Sequence, residues 1–238
     1  MTYKIAEKKR LAQRARASRQ RASLPEIVLL LIMLVVNSTP ILWGLVTSLK
    51  TRREILVYPP KFFNFTPSLE HYFNVFRNGL DIGMRNSLLY SACTIALGLV
   101  LGLLAAYGFE RYHFPFKKIL FYIVIAGIPL SIGSAAMLIP NYLYMMELGL
   151  TNKWYTLILL YTAYNLPMAI WIMKGGIEAI PLEIEDAALI DGCSRAYIIG
   201  RLIPRLILPS IASSALFLFI GAWNEFITAA VMIDSPEL

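Results

Sequence analysis

Residues 86–109 read "NSLLYSACTIALGLVLGLLAAYGF", and no acid, lysine or arginine interrupts them. A helix rises about 1.5 Å per residue and the hydrocarbon core of a bilayer is roughly 30 Å thick, so a stretch of this length and polarity is a membrane span. The rest of the chain agrees. Of its 238 residues 58% are hydrophobic and 16% are charged, with a mean hydropathy of +0.61. Soluble domains carry about a quarter charged residues, and this chain falls well outside that class.

Outward from residues 86–109, four more apolar segments are long enough to span: 27–49, 119–146, 154–173 and 206–233. Pro40, Pro129, Pro140, Pro167 and Pro209 lie in or at the ends of these segments. Membrane helices tolerate such kinks where neighbours re-satisfy the freed carbonyls. Gly98 and Gly102 form a small-xxx-small pair in the second span, a pattern that lets helices approach closely. The expectation is an all-α integral membrane protein with five spans.

Charge fixes an orientation. Residues 1–24 hold eight basic side chains against the single acid Glu7, which accounts for the whole formal net charge of +7. A basic run directly before an apolar span sets topology and meets anionic membrane lipid, so no nucleic-acid partner is implied. The tail is therefore expected in the cytoplasm. A signal anchor is expected rather than a cleaved leader, since the apolar run after the tail is too long and lacks a small-x-small site. The link "ERYHFPFKK" (110–118) carries Arg111, Lys117 and Lys118 on the same side. The loop 50–85, with Lys50, Arg52, Arg53 and Lys61, falls outside, and parity returns residues 174–205 to the cytosol. Two isolated cysteines, Cys93 and Cys193, and two distant histidines, His71 and His113, supply neither a metal site nor a nucleophile with its base.

Residues 183–192, "EIEDAALIDG", are the polar exception. Pro181 suits the first turn of a helix, where its missing N–H costs nothing. Glu183, Glu185 and Asp186 follow at the end favoured by negative charge, and Gly192 can supply a left-handed cap. The spacing predicts a helix of about ten residues, with Ile184, Ala187, Ala188 and Asp191 on one face. A short capped helix on a cytoplasmic loop reads either as a docking knob or as a solvated surface helix.

The segment "DAALIDG", with Leu202, Ile203 and Pro204 downstream, resembles the EAA loop of permease subunits of binding-protein-dependent ABC importers. Ala187, Ala188 and Gly192 keep that motif's spacing, and Asp191 takes the common acid before the glycine. Asp186 replaces the family's glutamate, and Pro204 comes one residue before the family's proline position. "WGLVTSLK", "MRNSL", "AAYGFERYHFPFKK" and "FIGAWNEF" are similar to the carbohydrate-type permeases, in particular the second subunit of maltose-type transporters, across essentially the whole chain. The resemblance implies a MetI-like helical bundle made of a tail (1–24) and a permease domain (25–238), with its coupling loop at about 174–205. It also implies a sixth span, so the expectation is a sequence truncated after the fifth.

By the same resemblance the chain is a non-catalytic, pore-forming subunit in the bacterial inner (cytoplasmic) membrane, importing a di- or oligosaccharide. Its partners would be a second homologous permease, two ATPases and an extracytoplasmic solute-binding protein. Glu183, Glu185, Asp186, Ala187, Ala188, Asp191 and Gly192 would couple ATPase closure to alternating access. The sequence has no Gly-x-x-x-x-Gly-Lys-Ser/Thr element, so ATP and Mg belong to the partner ATPase and the chain binds no cofactor of its own. An ATP-independent secondary transporter or channel is the rival; it would place ionisable groups mid-membrane, where the spans offer chiefly Glu225. Sugars are held by aromatic faces, amides and hydroxyls, which gives Asn141, Tyr142, Tyr161, Tyr164, Asn165, Trp223, Asn224 and Glu225 as candidate pathway residues. Aromatic residues also gather at membrane interfaces without any ligand.

Overall fold

The computed structural model describes residues 23–58, 65–131 and 135–234; the basic tail and Lys61 lie outside the described residues. The chain divides into two units at Asn78 and Gly79.

The first unit begins with α1, Leu24–Ser48. The Ser23 N–H donates to the Glu26 carboxylate at 2.9 Å, which satisfies a donor the helix start would leave open. Pro40 lies inside α1 and denies the Val36 carbonyl its N–H. The loop after α1 folds on itself through α2 (Arg52–Ile55) and α3 (Glu70–Arg77). Glu54 accepts from the Thr51 N–H and hydroxyl at 3.2 and 2.9 Å and from the Thr66 N–H at 3.2 Å. Lys50, at the start of that loop, is buried, with its ammonium 4.7 Å from the Trp43 ring centre and 5.5 Å from that of Phe65.

The second unit is built on three helices that pack on one another: α4 (Leu80–Arg111), α8 (Trp154–Glu178) and α12 (Leu208–Trp223). In lipid there is no hydrophobic drive between helices, so close backbone approach decides the packing. Gly98 of α4 lies under Leu218, and Gly102 lies under Met173 and Ala169. Gly176 of α8 meets Ser210 and Ile207, and Gly221 of α12 receives the Asn165 amide. One buried cluster, including Tyr107, Met173, Ile177, Ile203 and Leu218, fills one end of the unit. A second, around Tyr90, Leu157, Tyr161 and Met232, fills the other.

Among the described residues three helices, α1, α4 and α8, are long and apolar enough to cross a membrane unbroken. The third expected span is interrupted at Gly127. α5 (Lys117–Ala126) and α6 (Ile128–Ser131) lie on either side of that point, and α7 (Ala135–Glu147) lies beyond residues 132–134, which are outside the described residues. At this interruption the Gly127 N–H turns back to the Val124 carbonyl at 3.0 Å, two residues before Pro129. The fifth is also interrupted. The stretch Arg195–Leu206 meets Leu208–Trp223 at 85°, and a separate helix, α13 (Ile227–Met232), follows the break at Asn224. The entry stretch comprises α10 (Arg195–Tyr197), a π turn at Ile198–Leu202 and α11 (Ile203–Leu206). Pro204 and Pro209 flank the bend, and neither can donate to the turn before it.

Candidate functional site

The predicted helix at residues 183–192 is present as α9, Leu182–Ile190. Pro181 is its N-cap residue, and Glu183 and Glu185 lie in its first turn. Its C-terminus closes as a Schellman motif. The Cys193 N–H donates to the Ala188 carbonyl at 2.9 Å, and the Gly192 N–H donates to that of Leu189 at 3.0 Å. Gly192 has φ +83°, with no atom within 4 Å of where a Cβ would stand. Gly192→Val therefore meets no clash, only the strain of a branched residue in left-handed backbone. It should cost about 1–2 kcal/mol, read as a lowered unfolding midpoint, while Gly192→Asn should cost less.

The three acids are not equivalent. Glu183 and Asp186 are exposed, whereas Glu185 is 2% exposed. The Tyr107 hydroxyl donates to Glu185 Oε2 at 2.7 Å, and Arg111 Nε donates to Oε1 at 2.6 Å. Arg111 Nη2 donates further to the Ile180 carbonyl at 2.9 Å, just past the end of α8, and to that of Ile177 at 3.1 Å, which also accepts from the Ile180 N–H. One guanidinium thus joins α4, α8 and α9. Desolvating this charge is tolerable because it has three acceptors. The same end carries an ion-pair group, with Lys174 Nζ 2.8 Å from Glu110 and 3.0 Å from Glu178 and lying over the Phe121 ring.

The expected common face of Ile184, Ala187, Ala188 and Asp191 divides in two. Ile184, Ala187 and Asp191 are exposed, but Ala188 is half-buried and packs on the first core cluster with Leu189 and Cys193. α9 therefore turns Glu185, Ala188 and Leu189 inward and presents Leu182, Glu183, Ile184, Asp186, Ala187 and Ile190 outward. Sequence reasoning missed Tyr107 and Arg111. The signal was available in "AAYGFER", where an arginine ends an apolar span and a tyrosine precedes it by one turn.

The candidate pathway residues lie towards the other end of the unit. The Asn141 amide donates to the Tyr164 hydroxyl at 2.7 Å, and the Asn165 amide donates to the Tyr161 carbonyl at 2.8 Å. The Tyr161 hydroxyl reaches the Glu225 carbonyl at 3.4 Å, and Tyr142 packs against the second core cluster. These bring Asn141, Tyr142, Tyr161, Tyr164, Asn165 and Glu225 into one neighbourhood. The Glu225 carboxylate caps α13, accepting from the Thr228 N–H at 3.0 and 3.1 Å and from its hydroxyl at 2.8 Å. Trp223 stacks on Phe219 and stays exposed, as does Asn224. Among the described residues no group of three His, Cys, Asp or Glu side chains stands ready for a metal ion.

A bundle of apolar helices with a short polar helix fastened to one end has the build of a membrane transport subunit. Residues 98–238 match the family described as "Binding-protein-dependent transport system inner membrane component", and the chain belongs to that family. It is a multi-pass permease subunit and not itself an enzyme. It is 32% identical over 208 residues to the sulfoquinovosyl glycerol transport system permease protein SmoH of Agrobacterium fabrum, covering 87% of this chain and 72% of that one. It is 30% identical over 223 residues to the diacetylchitobiose uptake system permease protein NgcG of Streptomyces coelicolor, covering 92% and 72%. A solved bacterial ABC transporter involved in import of the acidic polysaccharide alginate shares the fold, with a TM-score of 0.72 and 22% identity over 89% of this chain and 74% of that chain.

Proposed function

We propose that this chain is the pore-forming subunit of an ATP-driven importer of a di- or oligosaccharide in the bacterial inner membrane. Its N-terminus and α9 face the cytoplasm. It works with a second homologous permease, two ATPase subunits that use ATP and Mg, and an extracytoplasmic solute-binding protein. Closure of the ATPase pair moves α9, and the bundle passes from inward- to outward-facing. The observation that carries this reading is α9 itself, a capped helix fastened to the bundle on one face and open on the other. The names of the sugar-transporting relatives support the substrate class. The neighbourhood of Asn141, Tyr142, Tyr161, Tyr164 and Asn165, with Trp223, Asn224 and Glu225 beside it, is the proposed sugar pathway. A secondary transporter would need a free ionisable group at mid-membrane, and Glu225 is engaged as a helix cap.

The test uses the outward face. Ala187 is exposed, so Ala187→Arg leaves the core cluster untouched and puts a long charged chain where the ATPase would seat. In the reconstituted complex, uptake and substrate-stimulated ATP hydrolysis should fall together, by on the order of tenfold or more, as expected when a charge is buried at an interface without a partner. Normal stimulation with normal uptake would remove α9 from the mechanism.

A further inference from the structure

The coupling helix is held unequally by its two neighbours in the chain. Towards α8 it is joined through residues 179–181, and Arg111 ties this junction by bonding the Ile177 and Ile180 carbonyls together with Glu185. Tyr107, one turn before Arg111 on α4, holds the second carboxylate oxygen, so the carboxylate is gripped at both oxygens. Towards α12 the chain passes through a left-handed glycine, a π turn and an 85° bend. On that side α9 is held without an ion pair among the described residues, by apolar packing of Ala188 and Leu189 on a cluster that includes Ile198, Ile203 and Leu218. A helix of nine residues does not persist alone in water, so α9 moves as its attachments dictate.

We propose that Tyr107 and Arg111 are positioning residues for transport: through Glu185 they make α9 and the ends of α4 and α8 one rigid piece, so a push on α9 is delivered to those two spans. The proposal rests on reading α9 as the ATPase-coupling helix. The planar guanidinium suits this task because its donors diverge in one plane and fix acceptors on two other elements relative to α4. A lysine would supply the charge without that geometry.

The experiment measures sugar uptake per ATP hydrolysed in proteoliposomes containing the complete complex with loaded binding protein. Two variants are compared with wild type. The double change Arg111→Met with Glu185→Leu removes the charged pin and keeps apolar packing, an exchange that folded proteins usually tolerate. Tyr107→Phe removes one bond to the carboxylate and keeps the ring. Uptake per ATP should fall about tenfold in the double variant, the size of a typical coupling between linked sites. It should fall about threefold in Tyr107→Phe, as for loss of one hydrogen bond. An unchanged ratio in assembled complexes, including an equal fall of uptake and hydrolysis, overturns the pin while leaving the importer reading intact. If the double variant does not assemble, the Tyr107→Phe ratio decides. A wild-type preparation that carries no stimulated ATPase overturns the importer reading, and the pin with it.

Discussion

Arg111→Ala should destabilise the folded chain by about 3–5 kcal/mol, because it removes one partner of a buried ion pair and leaves the other charge in place. The side chains concerned are 9% and 2% exposed, so water cannot take over the role of the guanidinium at Glu185. The Ile180 carbonyl loses its side-chain donor in the same stroke, while that of Ile177 keeps the Ile180 N–H. Arg111→Met combined with Glu185→Leu should recover most of the loss, since no charge then remains unpaired. The measurement is the unfolding midpoint of the purified complex in detergent, compared for wild type, single and double variants. A single variant that unfolds at the wild-type midpoint would mean that the pair contributes nothing.

Two adjacent glycines should respond with opposite sign. At Gly175 of α8 a Cβ meets nothing within 4 Å, so Gly175→Ala should stabilise by up to about 1 kcal/mol through helix propensity. At Gly176 a Cβ would lie 2.8 Å from Ser210 Cβ and 3.3 Å from Ile207 Cβ. Those atoms are set by the backbone of the opposing helix and cannot rotate away. Gly176→Ala should therefore force α8 and α12 apart and cost about 1–3 kcal/mol despite the better helix former. Gly98 and Gly102 are milder cases, because a Cβ there meets the flexible ends of Leu218 and Met173. Thermal melting of the four alanine variants checks the order. Equal effects at 175 and 176 would contradict the packing described.

The second and fourth spans were legible because an uninterrupted apolar run of sufficient length has one stable form in a bilayer. The helix at 183–192 was legible from its punctuation: a proline before it, acids in its first turn and a glycine after it. The breaks in the third and fifth spans were not, since Pro40 and Pro167 sit inside continuous helices while Gly127 and Pro209 mark interruptions. Local sequence names the weak points, and tertiary packing decides which of them give way. Glu185 was legible as an acid but not as a buried one. Its partner stands 74 positions away, and nothing in the local pattern distinguishes it from Glu183 or Asp186. Gly176 was passed over for the same reason, because the residue it must accommodate lies on another helix.

The inward and outward faces of α9 answer to different constraints, and this makes the helix exchangeable. Glu185, Ala188 and Leu189 must suit their own bundle, while Leu182, Glu183, Ile184, Asp186, Ala187 and Ile190 touch little of the chain they belong to. If the outward side chains meet the ATPase, they can be recoded for a different one without refolding the permease. Grafting the outward residues of a second permease onto this α9, with its inward residues retained, would then redirect the transporter to a foreign engine. A genome with more permeases than ATPases could share one engine among them by holding only this half of the helix in common.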